Sequence, residues 1–151
     1  MTVAEPGRAG SPARGGHHRR RRARRLAVEI MYQADITGED PSAAVAAWRS
    51  AGREVPDHTV HLVEGVRASL GPIDALLGAH AEGWSVSRMS VVDRAILRIA
   101  VFELLDGVPA PIAINEAVEA AESLSTEASG RFVNGVLGAI GRELDAGGTP
   151  G

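Results

Sequence analysis

Apolar residues crowd most densely between Val91 and Leu105, where VVDRAILRIAVFELL holds eleven apolar residues in fifteen. One stripe runs Val92, Ala95, Ile96, Ile99 and Phe102; a second runs Leu97, Ala100, Val101, Leu104 and Leu105. On a helix these stripes leave only Asp93, Arg94, Arg98 and Glu103 as a narrow polar seam, which predicts a helix buried nearly all round. The segment is too short and too charged to cross a membrane. It is the expected central rod of a helical domain.

The same periodicity places six further helices around it. The first runs from Arg19 to Thr37, with Ala23, Leu26, Ala27, Ile30, Met31 and Ala34 inward and Gly38 as its stop. Asp40 and Pro41 supply an N-cap and a first-turn proline for a second helix carrying Ala44, Val45, Ala47 and Trp48, ending near Gly52. A third fits Asp57 to Leu70, closed by Gly71-Pro72, and a fourth Pro72 to Ala81. Ser90 is the expected cap of the central helix, with Asp93 as a capping-box acid. After Gly107 the pattern gives a sixth helix from Pro111 to Leu124, with Glu116, Glu119 and Glu122 read as a solvated outer face. A polar loop from Ser125 to Gly130 then precedes a seventh helix, Arg131 to Leu144. No stretch alternates like a strand. The fold class is all-α: about seven helices over residues 19–145, a disordered basic arm over 1–18 and a frayed tail over 146–151.

Composition narrows the chemistry. The chain lacks cysteine, so neither a disulfide framework nor a thiolate metal site is available, and the cytosol is the default compartment. The net charge of −3 hides an asymmetry: residues 1–25 hold eight of the sixteen basic residues and one acid, Glu5. A basic arm on an acidic body points to a polyanion met at one end. Every basic residue is Arg, which offers phosphate a planar, bidentate fork. A GC-rich genome is an equally good cause of that bias.

The strongest chemical signal is the block Arg19, Arg20, Arg21, Arg22, Arg24 and Arg25, flexible before and helical after, arranged to track a phosphate backbone. Arg20, Arg21, Arg24 and Arg25 fall largely off the apolar stripe, free to reach a ligand. The competing reading is a solubilising tail. His58-x-x-His61 has metal-like helical spacing but no third ligand near it in sequence, so no metal site is assigned. No nucleophile elbow, phosphate-binding glycine loop or dinucleotide fingerprint occurs, and nothing argues for catalysis or a cofactor. In RFVNGVL, the residues Phe132, Val133, Val136 and Leu137 read as packing and Gly135 as room for a close helix. Arg131 beside Phe132 is also a pair suited to holding a phosphate and stacking a base.

Four blocks, RRRARRLAVEIMYQADITG, VDRAILRIAVFELL, AINEAVEAAESLS and RFVNGVLG, together resemble the NusB family of bacterial transcription antitermination factors. The likeness covers residues 19–145, with Ser50 to Glu82 alike only in helical pattern. It implies two small helical bundles packed together, and binding of boxA-type RNA with NusE, a small-subunit ribosomal protein, in the RNA polymerase elongation complex. It leaves a homodimer open. It also implies RNA contacts from Arg20, Arg21, Arg22 and Arg24 and from Arg131 and Phe132, with Tyr32 and Asp93 facing NusE. Asp93 replaces a longer Glu of some relatives, and Ala128 stands where an acid is frequent. Two other classes compete: the NusB-like domain of ribosomal RNA cytosine methyltransferases, whose nucleotide-cofactor domain has no room here, and a structural helical partner protein with an indiscriminate basic tail.

Overall fold

The computed structural model describes residues 12–148 and contains seven α-helices and no strand among them. They are α1 (Pro12–Thr37), α2 (Pro41–Ser50), α3 (Asp57–Ala68), α4 (Leu70–His80), α5 (Val91–Leu105), α6 (Ala110–Leu124) and α7 (Glu127–Gly148), with one 3₁₀ turn, Val86–Arg88, before α5.

The central rod is α5. Nine of its residues are buried, including Ile96, Leu97, Ile99 and Val101. Its four polar interruptions do not form an exposed seam; each is partnered. Arg94 donates from Nε to Asp35 at 2.9 Å and from Nη1 to the Val86 and Met89 carbonyls at 3.0 and 3.1 Å. Arg98 holds Asp74 through two bonds of 2.9 and 2.8 Å. Glu103 is only 2% exposed and accepts from Arg24 of α1. Ser90 caps the helix, its hydroxyl accepting from the Asp93 N–H at 3.1 Å.

Around α5 the helices form two groups sharing one core. In the first, α1 packs on α3 and α5, and α2 closes over α1 and α3. The buried Thr59 hydroxyl of α3 donates to the Ala23 carbonyl of α1 at 2.9 Å, fixing that crossing. In the second, α6 and α7 form a hairpin against α5, and α4 packs on both α5 and α7. The close helix approach lies at Gly65, not at Gly135. A Cβ on Gly65 would sit 2.1 Å from the Phe102 ring, whereas one on Gly135 would meet open space.

Helix boundaries differ from the sequence reading in three places. Residues 12–18, assigned to the arm, are the first turns of α1, although this stretch holds two glycines and no apolar stripe. Residues 1–11 and 149–151 lie outside the described residues. Gly71-Pro72 does not stop α3 but sits in the first turn of α4, where proline needs no N–H bond. The seventh helix begins at Glu127, because the Thr126 hydroxyl accepts from the Ser129 N–H at 3.0 Å, and it continues past Leu144 to Gly148.

Candidate nucleic-acid interface

The arginine block lies on α1, and successive residues there point about 100° apart. That geometry divides the block. Arg19, Arg22 and Arg25 share one flank and line a cleft of about 760 Å³ with Leu26, Val28, Glu29 and Tyr32 of the same helix. Its other walls are Glu54 and Pro56 before α3, Val92 of α5 and Leu124 of α6. None of these three arginines makes an ion pair among the described residues. Arg19 and Arg22 are exposed and Arg25 half-buried. The cleft therefore has three arginines against two exposed glutamates on its rim, an apolar floor and one accessible aromatic ring, Tyr32, 37% exposed.

Arg21 and Arg24 point elsewhere, which corrects the expectation that both are free to reach a ligand. Arg24 is 8% exposed, and its Nε donates to the Glu103 carboxylate at 2.6 Å. Burial pushes the Glu103 carboxyl up from the usual range, while the Arg24 hydrogen bond and charge act the other way. Arg21 donates from Nε to Glu116 at 3.2 Å and from its guanidinium to Glu119. Glu116 is not on a solvated face: it is 8% exposed and also faces His17 at 3.6 Å. The outward acidic face survives at Glu119 and Glu122, both exposed.

Arg20 is exposed and lines a smaller cleft of about 340 Å³ on another side of α1, with Arg24, His58, Glu103 and Asp106. His58 and His61 stack at 5.9 Å between ring centres, and His61 pairs with Asp106 at 2.8 Å. Desolvation, then the charges of Arg20 and Arg24, hold the His58 imidazole below its ordinary pKa. No group of three or more potential metal ligands lies together among the described residues.

The second candidate pair stands at the start of α7. Arg131 is exposed, while Phe132 is half-buried and packs against the core. Neither lines the 760 Å³ cleft. Asp93 is not available as a surface contact. It is 8% exposed, with one oxygen accepting from Ser129 at 3.3 Å and the other buried without a partner. Sequence reasoning missed Glu103 and Glu116 as partners of the block. A signal for the first was present: an acid set among the apolar residues of a buried helix must find a cation or a donor.

These features define a class: an all-helical domain with a cationic, partly apolar cleft on its first helix and no helix, among the described residues, long and apolar enough to cross a membrane. The NusB family model matches residues 21–142, and the chain belongs to the NusB family. It is 50% identical over 127 residues to the transcription antitermination protein NusB of Saccharopolyspora erythraea, covering 80% of this chain and 85% of that one. The fold is similar to T. maritima NusB, with a TM-score of 0.74 and 34% identity over 82% of this chain and 91% of that one. It is also similar to a chain in a crystal structure of antitermination factors NusB and NusE in complex with dsRNA, with a TM-score of 0.72, 27% identity, and coverage of 84% and 98%.

Proposed function

We propose that the chain is a noncatalytic transcription antitermination factor that binds boxA-type RNA, together with NusE, during ribosomal RNA transcription by the elongating polymerase. The observation that carries this reading is the set of arginines without an ion pair among the described residues, Arg19, Arg22 and Arg25, lining one cleft in a chain of the NusB family. Guanidinium groups at three-residue spacing on a helix form a ridge that follows phosphates, and the apolar floor beneath accepts unstacked bases or a partner's side chain. Arg131 and the half-buried Phe132 form the second RNA contact, by charge and by stacking. Tyr32, on the same cleft and 37% exposed, is the contact for a protein partner seated beside the RNA.

The body beyond the arm is acidic, with eighteen acids against eight arginines after residue 25. A basic ribosomal protein is complementary to it, which speeds and orients docking. The test is binding of boxA-type and scrambled RNA by the full chain, with and without NusE. Preference for the boxA sequence, strengthened by NusE, is the expected result. Equal binding of both RNAs under both conditions favours the indiscriminate tail instead.

A further inference from the structure

We propose that Glu116 and Glu119 set the RNA affinity of this protein by holding Arg21 as an internal counter-charge and withholding it from phosphate. This deepens the RNA-binding reading above and rests on it.

Arg21 and Arg22 are adjacent and chemically identical, yet the fold treats them oppositely. Arg22 is exposed, unpaired among the described residues and on the cleft. Arg21 lies about 100° round the helix, with Glu116 at 3.2 Å from its Nε and Glu119 on its terminal nitrogen. Both carboxylates come from α6, one turn apart on the same face. His17, one turn before Arg21, faces the same Glu116 at 3.6 Å.

Burial makes the hold strong. The Glu116 side chain is 9% exposed, so its carboxylate has lost most of its hydration and depends on the cations beside it. Arg21 is itself 35% exposed, but a phosphate that captured it would leave the buried Glu116 carboxylate without its principal partner, and unpairing a buried charge costs more than breaking an exposed pair. Arg22 leaves nothing behind when it turns to phosphate. The densest basic run of the chain therefore offers RNA fewer contacts than its charge implies. Phosphate contacts are indifferent to sequence, so a withheld one lowers binding to every RNA and keeps the protein from being held on irrelevant transcripts.

The test uses the full chain and two single-stranded RNAs, boxA-type and scrambled, over a range of salt. Glu116→Gln with Glu119→Gln frees Arg21 while keeping side-chain shape. Binding to both RNAs is expected to rise several-fold, and the slope of log affinity against log salt to steepen by about 0.7, the value of one phosphate contact on a single strand. In an Arg21→Ala background the same pair of changes is expected to do nothing. A gain that persists without Arg21 is long-range repulsion and overturns the proposal, as does an unchanged slope. Two measurements cover a double variant that fails to fold. Glu119→Gln alone, at an exposed position, is expected to shift both quantities in the same direction by less. Arg21→Ala alone is expected to leave the wild-type slope intact, and a slope flatter by about 0.7 overturns the proposal. If the unaltered protein binds neither RNA, the RNA reading itself is wrong and this proposal falls with it.

Discussion

The proposed RNA contacts of Arg22 and Phe132 differ in their physics, and that difference is measurable one side chain at a time. Arg22→Ala removes an exposed cation with no ion pair among the described residues, so it should flatten the salt dependence by about 0.7 for boxA and scrambled RNA alike. Phe132→Ala should leave the slope in place and weaken binding by about 1–3 kcal/mol if a base stacks on the ring. Because Phe132 also packs against the core, a melting curve must first show that the variant is folded. A folded Phe132→Ala protein with full boxA preference makes Phe132 a packing residue only. Asp93 behaves as an internal group. Its burial and its bond to Ser129 mean that Asp93→Arg forces a cation into the junction of α5 and α7. We expect a loss of about 3 kcal/mol, at the upper end for single substitutions, rather than a folded protein with a weakened partner surface. Chemical denaturation of the variant decides between the two.

At the scale of elements, the Arg24–Glu103 pair ties α1 to α5 inside the core. Either Arg24→Ala or Glu103→Ala strands a buried charge and should cost about 3–5 kcal/mol. Arg24→Met with Glu103→Leu should recover most of that loss, since replacing both partners by apolar groups removes the desolvation problem. If the double variant is as unstable as the worse single, the pair is not the source of the cost. The α3 side carries a pH dependence. The His58 pKa is held below 6.5 in the folded protein, while the unfolded chain takes up the proton near its ordinary value. Stability from this group is therefore full above pH 6.5 and is lost as pH falls from there through the folded pKa. Glu103 runs the other way: its pKa is raised above 4.5, so its share is full below that pH and is lost as pH rises through the folded value. Comparing Tm against pH for wild type and His58→Gln isolates the histidine share. Equal acid sensitivity in the two proteins contradicts the assignment.

The same scale shows what periodicity can and cannot read. Every helix was legible because apolar spacing is local, and the caps at Asp40 and Ser90 were legible because capping chemistry spans three residues. Gly71-Pro72 and Gly130 misled because glycine and proline mark helix ends only on average; both sites lie inside first turns here. The pairs Arg21–Glu116 and Arg24–Glu103 were invisible for another reason. Their partners are 95 and 79 residues apart, and no periodicity joins positions that distant. Hence Glu116 fell on the polar side of its helix in pattern while tertiary contact buried it. In sequence Arg20, Arg21, Arg24 and Arg25 looked free to reach a ligand; the fold instead puts Arg19, Arg22 and Arg25 on a ridge and makes struts of Arg21 and Arg24.

For the whole molecule, the sorting leaves an acidic helical body presenting one cationic ridge, Arg19, Arg22 and Arg25, over a cleft shared with Tyr32. RNA and a basic protein partner can then meet at adjoining surfaces, each drawn by opposite charge. The central claim is that this ridge binds RNA and that the protein prefers boxA-type sequence. The most direct measurement is competition: the full chain, labelled boxA-type RNA, and either unlabelled boxA-type or scrambled RNA as competitor at fixed salt, repeated with Arg22→Ala. The account predicts that scrambled RNA competes much less well than boxA-type RNA, and that Arg22→Ala weakens both without closing the gap. Equal competition by the two RNAs, or an Arg22→Ala protein that binds like wild type, would contradict it.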